Sequence, residues 1–136
     1  MITREELIAA PEEDYMNAEQ LAFFRQMLLT LREETMDNIE GAKQQLANPP
    51  ESNDDADRAQ YEEESRLALR IVDRERKLLP KIDAALRRID LGEYGYCQES
   101  GEPIGIARLL VRPTAELSAE VKALSERRET IYRDQR

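Results

Sequence analysis

Two long apolar stripes with helical spacing flank a break at Asn48-Pro49-Pro50, and this punctuation constrains the fold more than any other feature. Proline has no N–H to donate and crowds the turn before it, so a helix arriving from the N-terminal side stops there. Upstream, Leu21, Phe24, Leu28, Leu31, Thr35, Ile39, Ala42 and Leu46 recur at intervals of three and four, and Asn17 and Gln20 have the spacing of a capping box. These residues predict a helix over Asn17–Ala47, about 46 Å long by the rise of an α-helix. Downstream, Tyr61, Ser65, Ala68, Val72, Glu75, Leu79, Ile82, Leu86 and Ile89 trace a second stripe. Asp57-Arg58-Ala59-Gln60 has the D-x-x-Q form, so the second helix is predicted from about Asp57, capped by that residue, to Leu91. Polar helices of this length are not stable alone, and each needs the other's seam. The expected fold class is mainly α: a long antiparallel coiled-coil hairpin over residues 16–91, with its tip at about 48–59.

The second seam is uneven. Its tip half offers Ser65 and Ala68, Glu75 interrupts the middle, and the base half is strongly apolar. A hairpin anchored at its base and looser toward the tip is predicted. Pro80 removes an i→i−4 bond and costs about 3 kcal/mol unless a kink absorbs it. One kinked helix is predicted, with a break at Leu79 as the alternative.

Residues 1–15 hold Pro11 and the acidic run Glu12-Glu13-Asp14, and read either as a short helix at Arg4–Ala10 capped by Thr3 or as a mobile leader. Gly92 stops the second long helix. Between residues 94 and 113, Ile104, Ile106, Leu109 and Val111 lie among Gly101, Pro103 and Gly105, a pattern of turns and short strands. Thr114 or Ser118 can cap a last helix to about Tyr132, with Leu117, Val121, Leu124 and the stem of Arg128 facing inward. Residues 92–136 are thus expected to form a small globular region ending in a C-terminal helix.

Composition fits an arm with a small end. Of 136 residues, 36% are charged and 5% aromatic, which suits solvated helices and a thin seam. No apolar run is long enough for a signal peptide or a membrane span, so a cytoplasmic location is expected. The net charge of −9 repels a phosphate backbone on average, and no solid basic cluster offsets it, so direct DNA binding is not expected. Charge is also segregated. Residues 51–64 carry seven acids against Arg58, whereas 66–90 carry eight bases against four acids. An acidic tip on a basic stalk suits a cationic or metal-bearing cavity for the one and an anionic rim or ligand for the other.

The absence of histidine removes histidine bases and catalytic triads, and no nucleophile–base pair suggests an enzyme. With Cys97 as the one cysteine, an intramolecular disulfide is impossible and a structural zinc site lacks ligands. That thiol reads as a small, semi-buried hydrophobe. Asp54 and Asp57, three apart, form either a solvated turn in which Asp57 only caps, or a carboxylate pair that shares a hard cation such as Mg²⁺ or accepts from a partner's Lys or Arg. Arg74 and Lys81, seven apart, share one helix face. With Arg112 and Lys122 they form a cup for a polyphosphate if the end region folds back; otherwise they are ordinary surface cations.

Asp54-Asp55-Ala56-Asp57-Arg58-Ala59 matches the D-x-x-D-x-A tip of the DksA/TraR family of RNA polymerase-binding regulators, which the chain resembles. Tyr15-Met16-Asn17, Asp73-Arg74-Glu75-Arg76-Lys77-Leu78, Tyr94-Gly95-Tyr96-Cys97, Ile104-Gly105-Ile106 and Arg112-Pro113-Thr114-Ala115-Glu116-Leu117 extend the match in order from about residue 11. The resemblance implies a hairpin that enters the secondary channel of bacterial RNA polymerase without touching DNA. There its tip alters open-complex stability, often together with the alarmone ppGpp in the stringent response. Asp54, Asp57 and Ala59 fall on the functional tip, and Arg74, Lys81, Arg112 and Lys122 on the cations that contact ppGpp. A further position of that pocket, usually Asn, is Ile71 here. A monomer with no membrane partner is expected.

The family's four zinc cysteines fall on Cys97, Ser100, Ser118 and Val121. Three ligands are gone, so a degenerate, zinc-free finger is expected, kept in shape by Ile104, Ile106, Leu109, Leu117 and Val121. No metal-bound thiolate is then left to lose under zinc shortage or oxidation. Two other readings remain open: a Gre-type transcript-cleavage factor, whose tip acids help bind a catalytic Mg²⁺, and a coiled-coil adaptor with no polymerase role.

Overall fold

A computed structural model describes residues 1–51 and 53–134. Ser52, inside the predicted tip, and Gln135 and Arg136, at the end of the predicted globular region, lie outside the described residues. The elements are α1 (Arg4–Ala9), a 3-10 turn (Glu12–Asp14), α2 (Ala18–Ala47), α3 (Asp55–Leu91), α4 (Ile106–Val111) and α5 (Ala119–Asp134). Both predicted stripes are used. All eight positions of the first and all nine of the second are buried or half-buried. The chain divides into two units, Leu29–Asp83 and a second made of Met1–Leu28 with the chain from Ala84 on.

Within Leu29–Asp83, α2 and α3 run antiparallel, because cross-helix partners descend one helix as they climb the other. Arg32 Nε meets Asp83 at 2.9 Å, Asn38 Nδ2 donates to Glu75 Oε1 at 3.1 Å, and Tyr61 Oη donates to the Leu46 carbonyl at 2.8 Å. The core near the turn is built from small residues, Ala42, Ala68 and Val72, with Leu46 and Ile71 packed against them. Thr35 occupies a seam position at 1% exposure because its hydroxyl donates back to the Leu31 carbonyl at 2.7 Å. Pro80 sits inside a continuous α3, so the helix does not break at Leu79. It lies on the exposed side, where water can take the carbonyl that has lost its i→i−4 donor.

In the other unit, Asn17 starts α2: its Oδ1 accepts from the Gln20 N–H at 3.0 Å, while Gln20 Oε1 accepts from the Met16 N–H at 2.9 Å. This is the predicted reciprocal cap, shifted by one donor. Residues 1–15 are ordered as a helix rather than a free leader. Thr3 Oγ1 accepts from the Glu6 N–H at 3.1 Å, and α1 packs on α4 with Leu7 buried. Phe24, Leu28, Ala85, Tyr94 and Leu109 form the apolar interior, with the Phe24 and Tyr94 rings 5.5 Å apart.

Three expectations need correction. Residues 94–113 form no strand among the described residues, only an isolated bridge between Tyr96 and Pro103. Ile106–Val111 is helical instead, because spacing by three lets Leu109 bury on a helical turn while Val111 points to solvent at 85% exposure. In α5, Leu124 is 45% exposed and Arg128 is exposed, so neither faces inward; beyond Val121 the half-buried positions are Lys122 and Ser125. The start of α3 also moves. The helix begins at Asp55, and Asp54, not Asp57, is the cap.

Candidate functional site

At the tip, Asp54 Oδ1 accepts from the Ala56 N–H at 3.0 Å, and the Asp54 carbonyl accepts from the Arg58 N–H at 3.0 Å. This is cap geometry, with the side chain satisfying one of the orphan amides at the helix start. Asp55 and Asp57 then lie in the first turn, where the helix dipole favours negative charge. Asp57 is left with no capping duty, so its carboxylate is separable from the fold. Asp54, Asp57 and Ala59 are all exposed. Below them, the Tyr61–Leu46 bond fastens the end of α2 to α3, and Asn48 Nδ2 returns to the Gln44 carbonyl at 2.9 Å. No group of three acidic or cysteine side chains among the described residues is placed to hold a metal ion.

Arg74 and Lys81 come together. They line one groove of about 450 Å³, with Lys77 beside them and Leu31, Thr35 and Leu78 as apolar wall. Glu75 lies against this groove, 7% exposed, and its Oε1 takes both the Asn38 amide and, at 3.5 Å, Arg74 Nη2. A buried acid beside Arg74 limits the directions that guanidinium can point. Sequence reading marked Glu75 as an interruption of the seam. The stronger inference from the same residue was that a buried carboxylate requires donors. Ile71, at the position where an Asn was expected, packs against the Ala42, Ala68 and Val72 cluster and serves the core.

Arg112 and Lys122 belong to the other unit. Arg112 closes α4, exposed, its N–H donating to the Arg108 carbonyl at 2.8 Å. Lys122 lies in the first turn of α5, its N–H on the Ser118 carbonyl at 2.9 Å.

The four degenerate finger positions are occupied by local hydrogen bonding. Ser118 Oγ accepts from the Val121 N–H at 3.3 Å and so starts α5; Cys97 Sγ accepts from the Ser100 N–H at 3.5 Å. Cys97 is fully buried where half-burial was expected, and its sulfur is not in an apolar setting. Burial pushes the thiol up, and the Ser100 hydroxyl with the backbone N–H groups of Ser118, Ser100 and Glu99 outweighs that, bringing it down to about 6. One thiol, two hydroxyls and an isopropyl group do not fit a structural zinc site, which needs four sulfur or imidazole ligands.

The finger's own ties are mainly polar, and sequence reading missed them. Tyr15 Oη donates to the Gly95 carbonyl at 2.6 Å and accepts from the Gly105 N–H at 2.9 Å, across 80 and 90 residues of chain. Its ring meets Tyr96 edge-on at 5.6 Å. Burial raises the Tyr15 phenol above its ordinary value. Tyr94 Oη donates to the Pro113 carbonyl at 2.7 Å; burial pushes that phenol far upward, opposed in part by the Arg88 charge. Of the expected apolar scaffold, Ile104 and Leu109 are buried, while Ile106, Leu117 and Val121 are only half-buried.

A helical hairpin ending in an exposed acidic turn, joined to a small knuckle without a metal ligand set, defines the class: a coiled-coil arm protein with a degenerate finger. Comparison with known proteins places it within that class. Residues 20–89 match the family described as DnaK suppressor protein DksA, N-terminal domain, and residues 92–127 match the prokaryotic dksA/traR C4-type zinc finger. The RNA polymerase-binding transcription factor DksA of Caulobacter vibrioides is 44% identical over 135 residues, covering 98% of this chain and 95% of its own. The protein of the same name from Escherichia coli K12 is 44% identical, covering 88% and 80%. The solved structure of transcription factor DksA2 from Pseudomonas aeruginosa is 48% identical and superposes with a TM-score of 0.81, covering 94% of this chain and 99% of that one. The chain belongs to the DksA family.

Proposed function

We propose that this protein is a transcription regulator that binds bacterial RNA polymerase through the secondary channel. It places Asp54, Asp57 and Ala59 near the active site and changes open-complex stability there. It has no catalytic activity of its own, does not contact DNA, and acts as a cytoplasmic monomer. Family membership along nearly the whole chain carries this reading. The tip geometry supplies a mechanism consistent with it: the cap is assigned to Asp54, so the Asp57 carboxylate is available to act electrostatically on polymerase groups.

The effector is ppGpp, contacted by Arg74 and Lys81 in one unit and by Arg112 and Lys122 in the other. The groove that unites Arg74 and Lys81 supports the first half of that assignment. Guanidinium and ammonium groups suit phosphate oxygens, the former as a planar fork and the latter as a point charge. The finger holds its shape without zinc, because no ligand set remains and hydrogen bonds occupy the ligand positions.

The test is transcription in vitro from a ribosomal-RNA-type promoter with purified bacterial RNA polymerase, comparing the wild type with Asp57→Asn, each with and without ppGpp. Inhibition that the variant loses, with unchanged helicity, is the expected result. Since Asp57 is not the cap, an active Asp57→Asn would put the function elsewhere. An inert wild type would return the chain to the adaptor reading.

A further inference from the structure

We propose that Arg88 is a positioning residue for Arg112 and Lys122, acting through its ion pair with Glu116; this rests on the ppGpp reading above. Arg88 lies near the end of α3 with its side chain 7% exposed, and its Nη1 meets Glu116 Oε1 at 3.2 Å. Its Nη2 is buried with no protein partner. Its carbonyl accepts from the N–H groups of Glu93, at 2.8 Å, and Tyr94, at 3.2 Å, which ends the helix. One residue thus terminates α3 with its backbone and grips a segment 28 positions away with its side chain.

A guanidinium this deep, paired with a half-exposed carboxylate, is a poor device for stability alone, since an apolar residue of the same volume would hold at least as well. What apolar packing lacks is direction. A guanidinium held by a carboxylate fixes where that carboxylate's backbone lies. The backbone in question is Pro113–Leu117. It is pinned at three further points: the Pro113 carbonyl by Tyr94 Oη, the Glu116 carbonyl by the Gln98 N–H at 2.9 Å, and the Leu117 carbonyl by Arg108 Nε at 3.1 Å. Arg88 alone among these donors belongs to the long helix. Arg112 immediately precedes the pinned segment, and Ser118, which caps the helix carrying Lys122, immediately follows it. A shift of this segment moves both cations.

The experiment uses Arg88→Met, which keeps the aliphatic volume and leaves no buried unpaired cation, and Arg88→Lys, which keeps the charge; Arg112→Ala serves as reference. Three quantities are read: the ppGpp concentration giving half-maximal enhancement of inhibition, polymerase binding by competition, and hydrogen exchange at the Ala115 and Lys122 amides. Arg88→Met should raise the half-maximal ppGpp concentration on the order of tenfold, because small misplacements of binding groups are costly. Polymerase affinity should stay within about twofold, because the substitution leaves Asp54, Asp57 and Ala59 untouched. Both amides should exchange faster, and Arg88→Lys should recover part of the response. A wild-type ppGpp response in Arg88→Met, with Arg112→Ala inactive toward ppGpp, would overturn the proposal and spare the nucleotide reading. Equal behaviour of the Met and Lys variants would reduce Arg88 to packing and overturn it too. A normal response in Arg112→Ala would remove the nucleotide reading and this proposal with it.

Discussion

The tip and the finger are built on opposite terms. Asp54, Asp57 and Ala59 are exposed, and the helix start that carries them is shaped by bonds spanning two to four residues. The finger is tied by polar groups, and the bonds that hold it reach across 19 residues from Tyr94, 28 from Arg88 and up to 90 from Tyr15. Because the cap falls to Asp54, the exposed Asp57 carboxylate can be changed at little risk to the fold. Long-range bonds make the finger a frame whose parts cannot be altered singly. Substitutions should therefore cost stability in the finger and activity at the tip.

The largest stability loss is expected from Glu116→Ala, which leaves the Arg88 guanidinium buried and unpaired. About 3 kcal/mol should be lost in a urea titration, the low end for a broken buried pair because Glu116 is half exposed. A loss under 1 kcal/mol would mean that Arg88 is hydrated, at odds with the buried frame, by the same comparison. Next comes Tyr15→Phe, which strips a donor from the Gly95 carbonyl and an acceptor from the Gly105 N–H, and should cost about 2 kcal/mol. Gly95→Ala tests the same contact from the other side. Its Cβ would lie 2.7 Å from Met16 Cγ at a φ of +93°, so its melting point should fall below that of Gly92→Ala, where φ is +74° and nothing lies within 4 Å.

At the tip the expected numbers shrink. Asp54→Ala should cost about 1 kcal/mol and Asp54→Asn only a few tenths, read as faster hydrogen exchange at the Arg58 amide in the first variant alone. Equal exchange in both would return the cap to Asp57. The smallest effect is none: EDTA should leave helicity and melting unchanged, and a stoichiometric zinc content in the purified protein would break the contrast between a metal-held and a hydrogen-bonded finger.

The same contrast explains what could be read in the sequence. The hairpin was legible because helical periodicity is local, and each seam position from Leu21 to Ile89 declares itself by its neighbours three and four away. Asn17, Thr3 and Ser118 were legible as caps for the same reason. The start of α3 was misplaced because two acids compete in Asp54-Asp55-Ala56-Asp57, and the D-x-x-Q pattern favoured the later one while the backbone uses the earlier. Leu109 and Val111 read as alternation because six residues are too few to separate a helical turn from a strand. Tyr15, Arg88 and Arg108 carry no periodic mark of their roles. Their partners are remote, and only a charge on a buried helix face, as at Arg88, hints that one exists.

Ser118 gives the finger a direction of descent. At the position where the family places a thiolate, its hydroxyl now starts α5, and cysteine is a poor substitute in that role. A cysteine restored at Ser118 alone would weaken the start of α5 and gain no metal, since neither two nor three thiols complete a structural site. That step is uphill, and only the full ligand set would offset the loss. Where a hydroxyl starts a helix at a ligand position, the finger is in this sense a ratchet, hard to turn back toward metal.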